Sequence, residues 1–130
     1  MNEIKNEGQV YLQFNGRYGR TSVAPTEKQI IETGRFFLTA GMSKAISKST
    51  IFSRFVLGCY GRHKYQDWGD LSHQDREMNN YAMHHGGRII SSYDIPQYLN
   101  IAERLKPQTH IWIITEACRS YTTVLFPSEY

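Results

Sequence analysis

The stretch from His110 to Tyr130, HIWIITEACRSYTTVLFPSEY, restricts this chain more than any other. Two apolar, β-branched runs, residues 111–115 and 121–126, flank a short polar break at 116–120. β-Branched and aromatic side chains pack well on a pleated surface, and so short a break joins two strands as a hairpin. Strands joined this tightly are antiparallel, so the domain is expected to be built on this ribbon.

The rest of the chain supplies partners for it. Residues 34–40, GRFFLTA, read as a strand stopped by Gly41, with a helical turn over 42–47. Ser49 or Thr50 then caps a helix whose Phe52, Phe55, Val56, Cys59 and His63 recur at helical spacing. Gly58 and Gly61 weaken that helix and allow close packing against a neighbour. Ser72 with Asp75 caps a second helix whose inward stripe is read as Met78, Tyr81, Ala82 and His85, and which the Gly86-Gly87 pair ends. Residues 88–95 alternate as a strand, with Ile89, Ser91, Tyr93 and Ile95 on one face. Residues 97–106 have the spacing of a short amphipathic helix carrying Tyr98, Ile101, Ala102 and Leu105. Further upstream, residues 10–14 would allow one short strand, 15–20 form a basic turn and 27–33 a short helix.

This order gives an α+β domain: a small, mainly antiparallel sheet closed by the C-terminal hairpin, with helices packed on one face. At 130 residues one core is expected, over residues 34–130, with residues 1–33 as an N-terminal extension. Two cysteines are too few for a disulfide scaffold, and no Cys/His spacing suggests zinc. No secretory leader, lipidation signal or long apolar run is visible, so a cytoplasmic protein without membrane association is expected. A net charge of +3 permits a nucleic acid or an acidic partner without demanding either, and excludes a mimic of DNA.

Several groupings hold residue types suited to chemistry. His63, Asp67, Asp70, His73 and Asp75 lie close in sequence and offer metal-ligand types, but the acids also suit a turn and a helix cap. Arg88, Tyr93, His110 and Arg119 on one sheet face would resemble the phosphate grip of a metal-free ribonuclease. The 116–120 tip presents Glu116 and Arg119, either to a partner or in an internal pair of Arg119 with Glu116 or Asp67. Cys118 sits at that tip, and Cys59 falls on an apolar stripe. His85 reads as packing and His84 as solvent-facing. No nucleotide-binding or serine-hydrolase motif is present, and no cofactor or metal site is expected.

From about residue 34 onward the chain resembles a widespread family of small proteins carried on bacterial plasmids and other mobile elements. The matching residues are Gly34-Arg35-Phe36-Phe37 with Thr39 and Gly41, Arg62-His63, then Asp67-Trp68-Gly69-Asp70-Leu71, Asp75 and Asn79. They continue through Arg88-Ile89, Ser92-Tyr93, residues 111–117, Arg119-Ser120, Thr122-Thr123, Leu125-Phe126-Pro127 and Glu129-Tyr130. Cys118 departs from the aspartate usual there, the 96–107 segment is longer than usual, and residues 1–33 lie outside the match. What the resemblance implies is a context, since accessory genes of mobile elements often encode inhibitors of host defence, including anti-CRISPR and anti-restriction proteins.

The expected function is thus a non-enzymatic binding protein that occludes a protein or ribonucleoprotein of a host defence system, with a small RNase or nucleic-acid-binding domain as the alternative. Contacts are expected from Arg17 and Arg20 in the basic arm, from Asp67, Trp68 and Asp70 in the turn, and from Tyr93, Glu116 and Arg119. Oligomeric state is left open by the sequence.

Overall fold

The computed structural model of the chain describes residues 30–103 and 106–130. Arg17, Arg20 and the elements expected before residue 30 therefore lie outside the described residues. Within them the chain forms β1 (Arg35–Leu38), α1 (Ala40–Lys48), α2 (Thr50–Lys64), α3 (His73–His85), β2 (Ile89–Asp94), β3 (Ala102–Glu103), β4 (Lys106–Pro107), β5 (His110–Thr115) and β6 (Tyr121–Leu125). A 3₁₀ turn, Gln97–Leu99, follows β2, and another, Pro127–Glu129, follows β6.

Each α-helix begins on a hydroxyl that accepts a hydrogen bond from an otherwise orphaned N–H of the first turn. Thr39 accepts from Met42, Ser49 from Phe52 and Ser72 from Asp75.

The four-stranded sheet runs β1-β6-β5-β2. β5 pairs antiparallel with both β6 and β2, while β1 lies parallel to β6. The fold is α+β, as the element order implies, but the sheet is mixed rather than purely antiparallel. Alternation along the strands sends Ile89, Ser91, Tyr93, Ile111, Ile113, Thr115, Thr122 and Val124 to one face, all buried. Met42 of α1 and Phe52, Val56 and Cys59 of α2 cover most of that face, with Phe126 between them. Burial of each large apolar side chain there stabilises the fold by about 1.5–3 kcal/mol. A smaller cluster joins Trp68, Ala82 of α3, Ile89 and Ile31.

The free edge of β2 is closed by polar groups rather than by another strand. Asn79 of α3 donates its amide to the Ile90 carbonyl at 2.8 Å and accepts from the Ile90 N–H at 3.2 Å. Ser92 donates to the Trp68 carbonyl and accepts from the Asp70 N–H, while the Asp70 carboxylate accepts from Asp94 N–H at 2.9 Å. Every outward-facing backbone group of this edge from Ile90 to the Asp94 N–H is satisfied, which removes an invitation to aggregation.

Four expectations need correction. The helix over 97–106 is not formed: after one 3₁₀ turn Asn100 adopts a left-handed conformation at φ 48°, and the chain returns as the β3–β4 ribbon. Pro107 favours extended backbone before it, which opposes a helix running up to it. Gly41 does not stop a strand but lies buried inside α1. The inward residues of α3 are Asn79 and Ala82, whereas Met78 and Tyr81 are more than 60% exposed, at 63% and 64%. The helix turns its amide to the sheet edge because unsatisfied backbone groups there would cost more than exposing a methionine. Of the helix expected at 27–33, the described part, residues 30–33, is not helical.

Candidate functional site

The turn between α2 and α3 is held by its own acids. Asp67 accepts from Arg62 at 2.7 and 3.2 Å, and from the Gly69 N–H at 3.1 Å. The Arg62 guanidinium beside it holds the Asp67 carboxyl below the usual carboxylate range. Gly69 has φ 75°, and a Cβ there would lie 2.1 Å from the Ser92 carbonyl oxygen, so the close approach to β2 requires glycine. Arg76 donates to the Leu71 and Gly69 carbonyls, which closes the loop onto α3.

Two residues expected at a contact surface are interior, and this corrects the reading from sequence. Trp68 is 3% exposed, its indole N–H donating to Asn80 at 3.1 Å, and Tyr93 is 1% exposed, its hydroxyl donating to the Asp67 carbonyl at 2.7 Å. Large aromatic bodies with one polar tip are well accommodated where the tip finds a partner, and both tips do. Burial also raises the Tyr93 pKa.

At the hairpin tip Arg119 turns inward, at φ 60°. Its guanidinium donates to the Gly87 carbonyl at 2.6 Å, to Glu116 at 3.1 Å and to Ala82 at 3.1 Å, clamping the C-terminal end of α3 against the loop. A cation is favoured at that helix end. Glu116 pairs instead with Arg88 at 3.3 Å. The pairs of Arg119 with the carboxylates of Glu116 or Asp67 are not formed. Cys118 is exposed at the tip, and its Sγ lies 2.7 Å from the Ser120 hydroxyl, which lowers the thiol pKa. Burial pushes the Cys59 thiol up to about 12, so it is inert core.

Beneath the sheet lies a buried polar chain that spacing alone did not reveal. His63 Nδ1 is 2.6 Å from Ser91 Oγ, and His63 Nε2 is 2.8 Å from Thr115 Oγ1. Thr115 Oγ1 lies 2.7 Å from Thr122 Oγ1, and Thr122 donates to the Thr33 carbonyl at 2.7 Å. Because Thr122 has committed its proton, it accepts from Thr115, Thr115 accepts from His63 Nε2–H, and Ser91 donates to Nδ1. One tautomer thus satisfies the whole chain. His63, Ser91, Thr115 and Thr122 are all fully buried, and burial, with Arg119 adding to it, lowers the His63 pKa to about 4. A serine beside a histidine here is a structural bond, sealed from any substrate.

The metal and ribonuclease groupings are not assembled. Among the described residues no three His, Cys, Asp or Glu side chains are placed to hold a metal ion. His73 is exposed and near Glu77, His63 is sealed, and Asp67 serves Arg62. Tyr93 opposes Ile111 on the helix-covered face, while His110 opposes Asp94 on the other, so these two ribonuclease candidates point away from each other.

What the surface offers lies elsewhere. On the sheet face away from α1 and α2, Phe37 and Tyr121 meet edge to face at 5.8 Å with Arg35 over Phe37. Near the other end of the hairpin Trp112 meets Tyr130 at 5.6 Å, and Arg88 lies over the Tyr130 ring, donating to its hydroxyl at 2.6 Å. Trp112 pairs with Leu125, four residues along β6 from Tyr121, which separates the two aromatic pairs by about 14 Å at the rise of a strand.

The outward side of the α1–α2 layer differs again. Between Thr33 and Gln66 the sequence has no Asp or Glu but carries Arg35, Lys44, Lys48, Arg54, Arg62 and Lys64. Lys44, Lys48 and Arg54 are exposed, beside Ile51 at 59% and Leu57 at 62% exposure. Among the described residues a Cβ at Gly58 or Gly61 would meet nothing within 4 Å, so neither glycine packs against a neighbour there. The absence of acids over these residues was the sequence signal for this face.

No helix of the described residues is long and apolar enough to cross a membrane. Comparison with family models, curated proteins and solved structures gives no match to the chain.

Proposed function

We propose that this chain is a small non-enzymatic binding protein that acts in the cytoplasm by covering a surface of a protein or ribonucleoprotein. Its resemblance to plasmid and mobile-element proteins makes a host defence system, of CRISPR or restriction type, the target class. The observation that carries the binding reading is the exposure of large apolar side chains beside cations on rigid elements, namely Phe37 and Tyr121 with Arg35, and Ile51 and Leu57 with Arg54. Aromatic, aliphatic and arginine anchors on a fixed scaffold concentrate binding energy. Of the residues that suggested catalysis, Asp67 holds the turn, Arg119 the hairpin tip and His63 the core.

The experiment is plasmid transformation into cells carrying a defined CRISPR or restriction system, with and without the chain. Protection of the plasmid is expected, together with co-purification of a defence subunit, and both should fall in folded variants of the exposed residues. Absence of protection against every tested system would overturn the target class. Turnover of RNA or DNA by the purified protein would overturn the non-enzymatic reading.

A second reading, a nucleic-acid-binding domain, is favoured by the arginine–aromatic pairs on the outer sheet face, since unstacked bases stack on such rings. Salt-sensitive binding of single-stranded RNA, lost in Phe37→Ala with Trp112→Ala, would establish it.

A further inference from the structure

We infer that the outward face of the α1–α2 layer is a docking surface for an acidic amphipathic helix of a partner protein. This inference rests on the binding reading above and names the chemistry of the partner.

Both helices turn their buried residues to the same core, Met42 on α1 and Phe52, Val56 and Cys59 on α2. At 100° per residue, the opposite sides carry Lys44, Ser47 and Lys48 on α1, and Arg54, Leu57 and Gly61 on α2, flanked by Ile51 and Gly58. Within the described residues the ion pairs fall elsewhere, at Arg62–Asp67, His73–Glu77 and Arg88–Glu116, leaving Lys44, Lys48 and Arg54 without a carboxylate.

Charge decides the sign of the partner. With no Asp or Glu over residues 33–66, the exposed Lys44, Lys48 and Arg54 give this face a one-signed field, which attracts an acidic surface and repels a basic one. Shape and polarity decide its class. Ile51 and Leu57 are apolar and more than half exposed, and phosphate gives them nothing to pack against, whereas the apolar stripe of a helix does. Beside them the two glycines leave the helix surface flat enough for a second backbone to approach.

The test uses the full chain, isotope-labelled, and four probes: a Glu/Leu amphipathic helical peptide, its Gln/Leu and Lys/Leu counterparts, and a single-stranded RNA oligonucleotide. The expected result is saturable binding of the Glu/Leu peptide, with amide shifts confined to residues 43–64, about tenfold weaker for Gln/Leu and absent for Lys/Leu. Charge reversal at Lys44, Lys48 and Arg54 should weaken the Glu/Leu peptide at least about tenfold. Gly58→Leu should block docking while the fold is kept, because its side chain enters open space; Gly58→Ala, expected to raise stability, checks that the position tolerates a Cβ. Equal binding of Glu/Leu and Gln/Leu, shifts on the outer sheet face, or no saturable binding would overturn the inference. RNA bound at residues 43–64 in place of the acidic peptide would overturn it in favour of a phosphate surface. Plasmid protection that survives charge reversal at these three residues would leave the proposed function standing and refute this surface alone.

Discussion

His63 Nε2 lies 2.8 Å from Thr115 Oγ1 in the sealed space between α2 and the sheet, and this bond ties the fold to one protonation state of one ring. In the folded protein the ring must be neutral, with a pKa lowered from 6.5 to about 4 by burial and by Arg119. The unfolded chain binds the proton more readily over that interval, so stability rises with pH there. It is fully present above about pH 6.5, falls as pH drops from 6.5 to about 4, and receives no further change from His63 below that. The loss across the window is about 3 kcal/mol. Urea unfolding between pH 4 and 7.5 reads it directly. His63→Gln should flatten the slope while lowering stability near neutrality by about 1–3 kcal/mol, since Gln only partly reproduces the two bonds. An unchanged slope in His63→Gln would show that another group controls the acid transition.

Arg119 acts on the same histidine from a distance and on α3 by contact. Arg119→Met removes the donors to Gly87, Glu116 and Ala82, so a loss of about 2 kcal/mol is expected, with faster amide exchange in the last turn of α3. It also removes a positive charge that disfavours protonation of His63, so the ring pKa should rise in an NMR titration. Arg119→Lys preserves the charge without the planar fork, and should rescue the titration more than the stability.

The parts of this fold visible in the sequence are those fixed by local periodicity. The β5–β6 ribbon, the caps at Ser49 and Ser72, and the buried stripe of Phe52, Val56, Cys59 and His63 all follow from spacing and short-range hydrogen bonding. The parallel placement of β1 beside β6 did not, because the pairing spans most of the chain and no local pattern encodes it. The reading of Trp68, Tyr93 and Arg119 as display residues failed for a related reason. Residue types rich in binding energy at interfaces are the same types that satisfy a domain interior, and only their partners distinguish the two uses. Many of the residues that carry the resemblance, among them Asp67, Gly69, Asp70, Asn79, Arg119, Thr122 and Glu129, are bonded within the fold. Those bonds describe an architecture; the outward face of the α1–α2 layer, with Ile51, Arg54 and Leu57, lies beside that pattern, whereas Arg35, Phe37, Arg88, Trp112 and Tyr130 of the outer sheet face belong to it.

Gly69 gives a sharp check on how the α2–α3 turn meets the sheet. Gly69→Ala places a methyl 2.1 Å from a backbone oxygen and 2.6 Å from the Tyr93 ring, at a φ that L residues disfavour. Neither neighbour is a flexible chain end, so a loss of at least about 2 kcal/mol is expected in denaturant unfolding. The largest gain in amide exchange should fall at Asp70, Ser92 and Asp94, whose N–H groups depend on this approach. A variant as stable as the parent would mean that the turn can stand away from β2.

Glu129 ties the C-terminal 3₁₀ turn to the start of α1. Its carboxylate accepts from the Thr39 hydroxyl at 2.5 Å, from the Gly41 N–H at 2.8 Å and from the Phe126 N–H at 3.1 Å. The first turn of α1 has no acid of its own, so this distant carboxylate supplies both the acceptor and the negative charge that a helix N-terminus favours. Two substitutions separate those contributions. Glu129→Gln keeps an acceptor and removes the charge, and should lower stability by about 1 kcal/mol; Glu129→Ala removes both, and should lower it by about 2 kcal/mol or more. In either variant α1 should fray from its first turn, seen as faster exchange at Gly41 and Met42 with α2 unaffected. Equal losses in the two variants would show that charge, rather than acceptor geometry, holds the end of the chain to the helix.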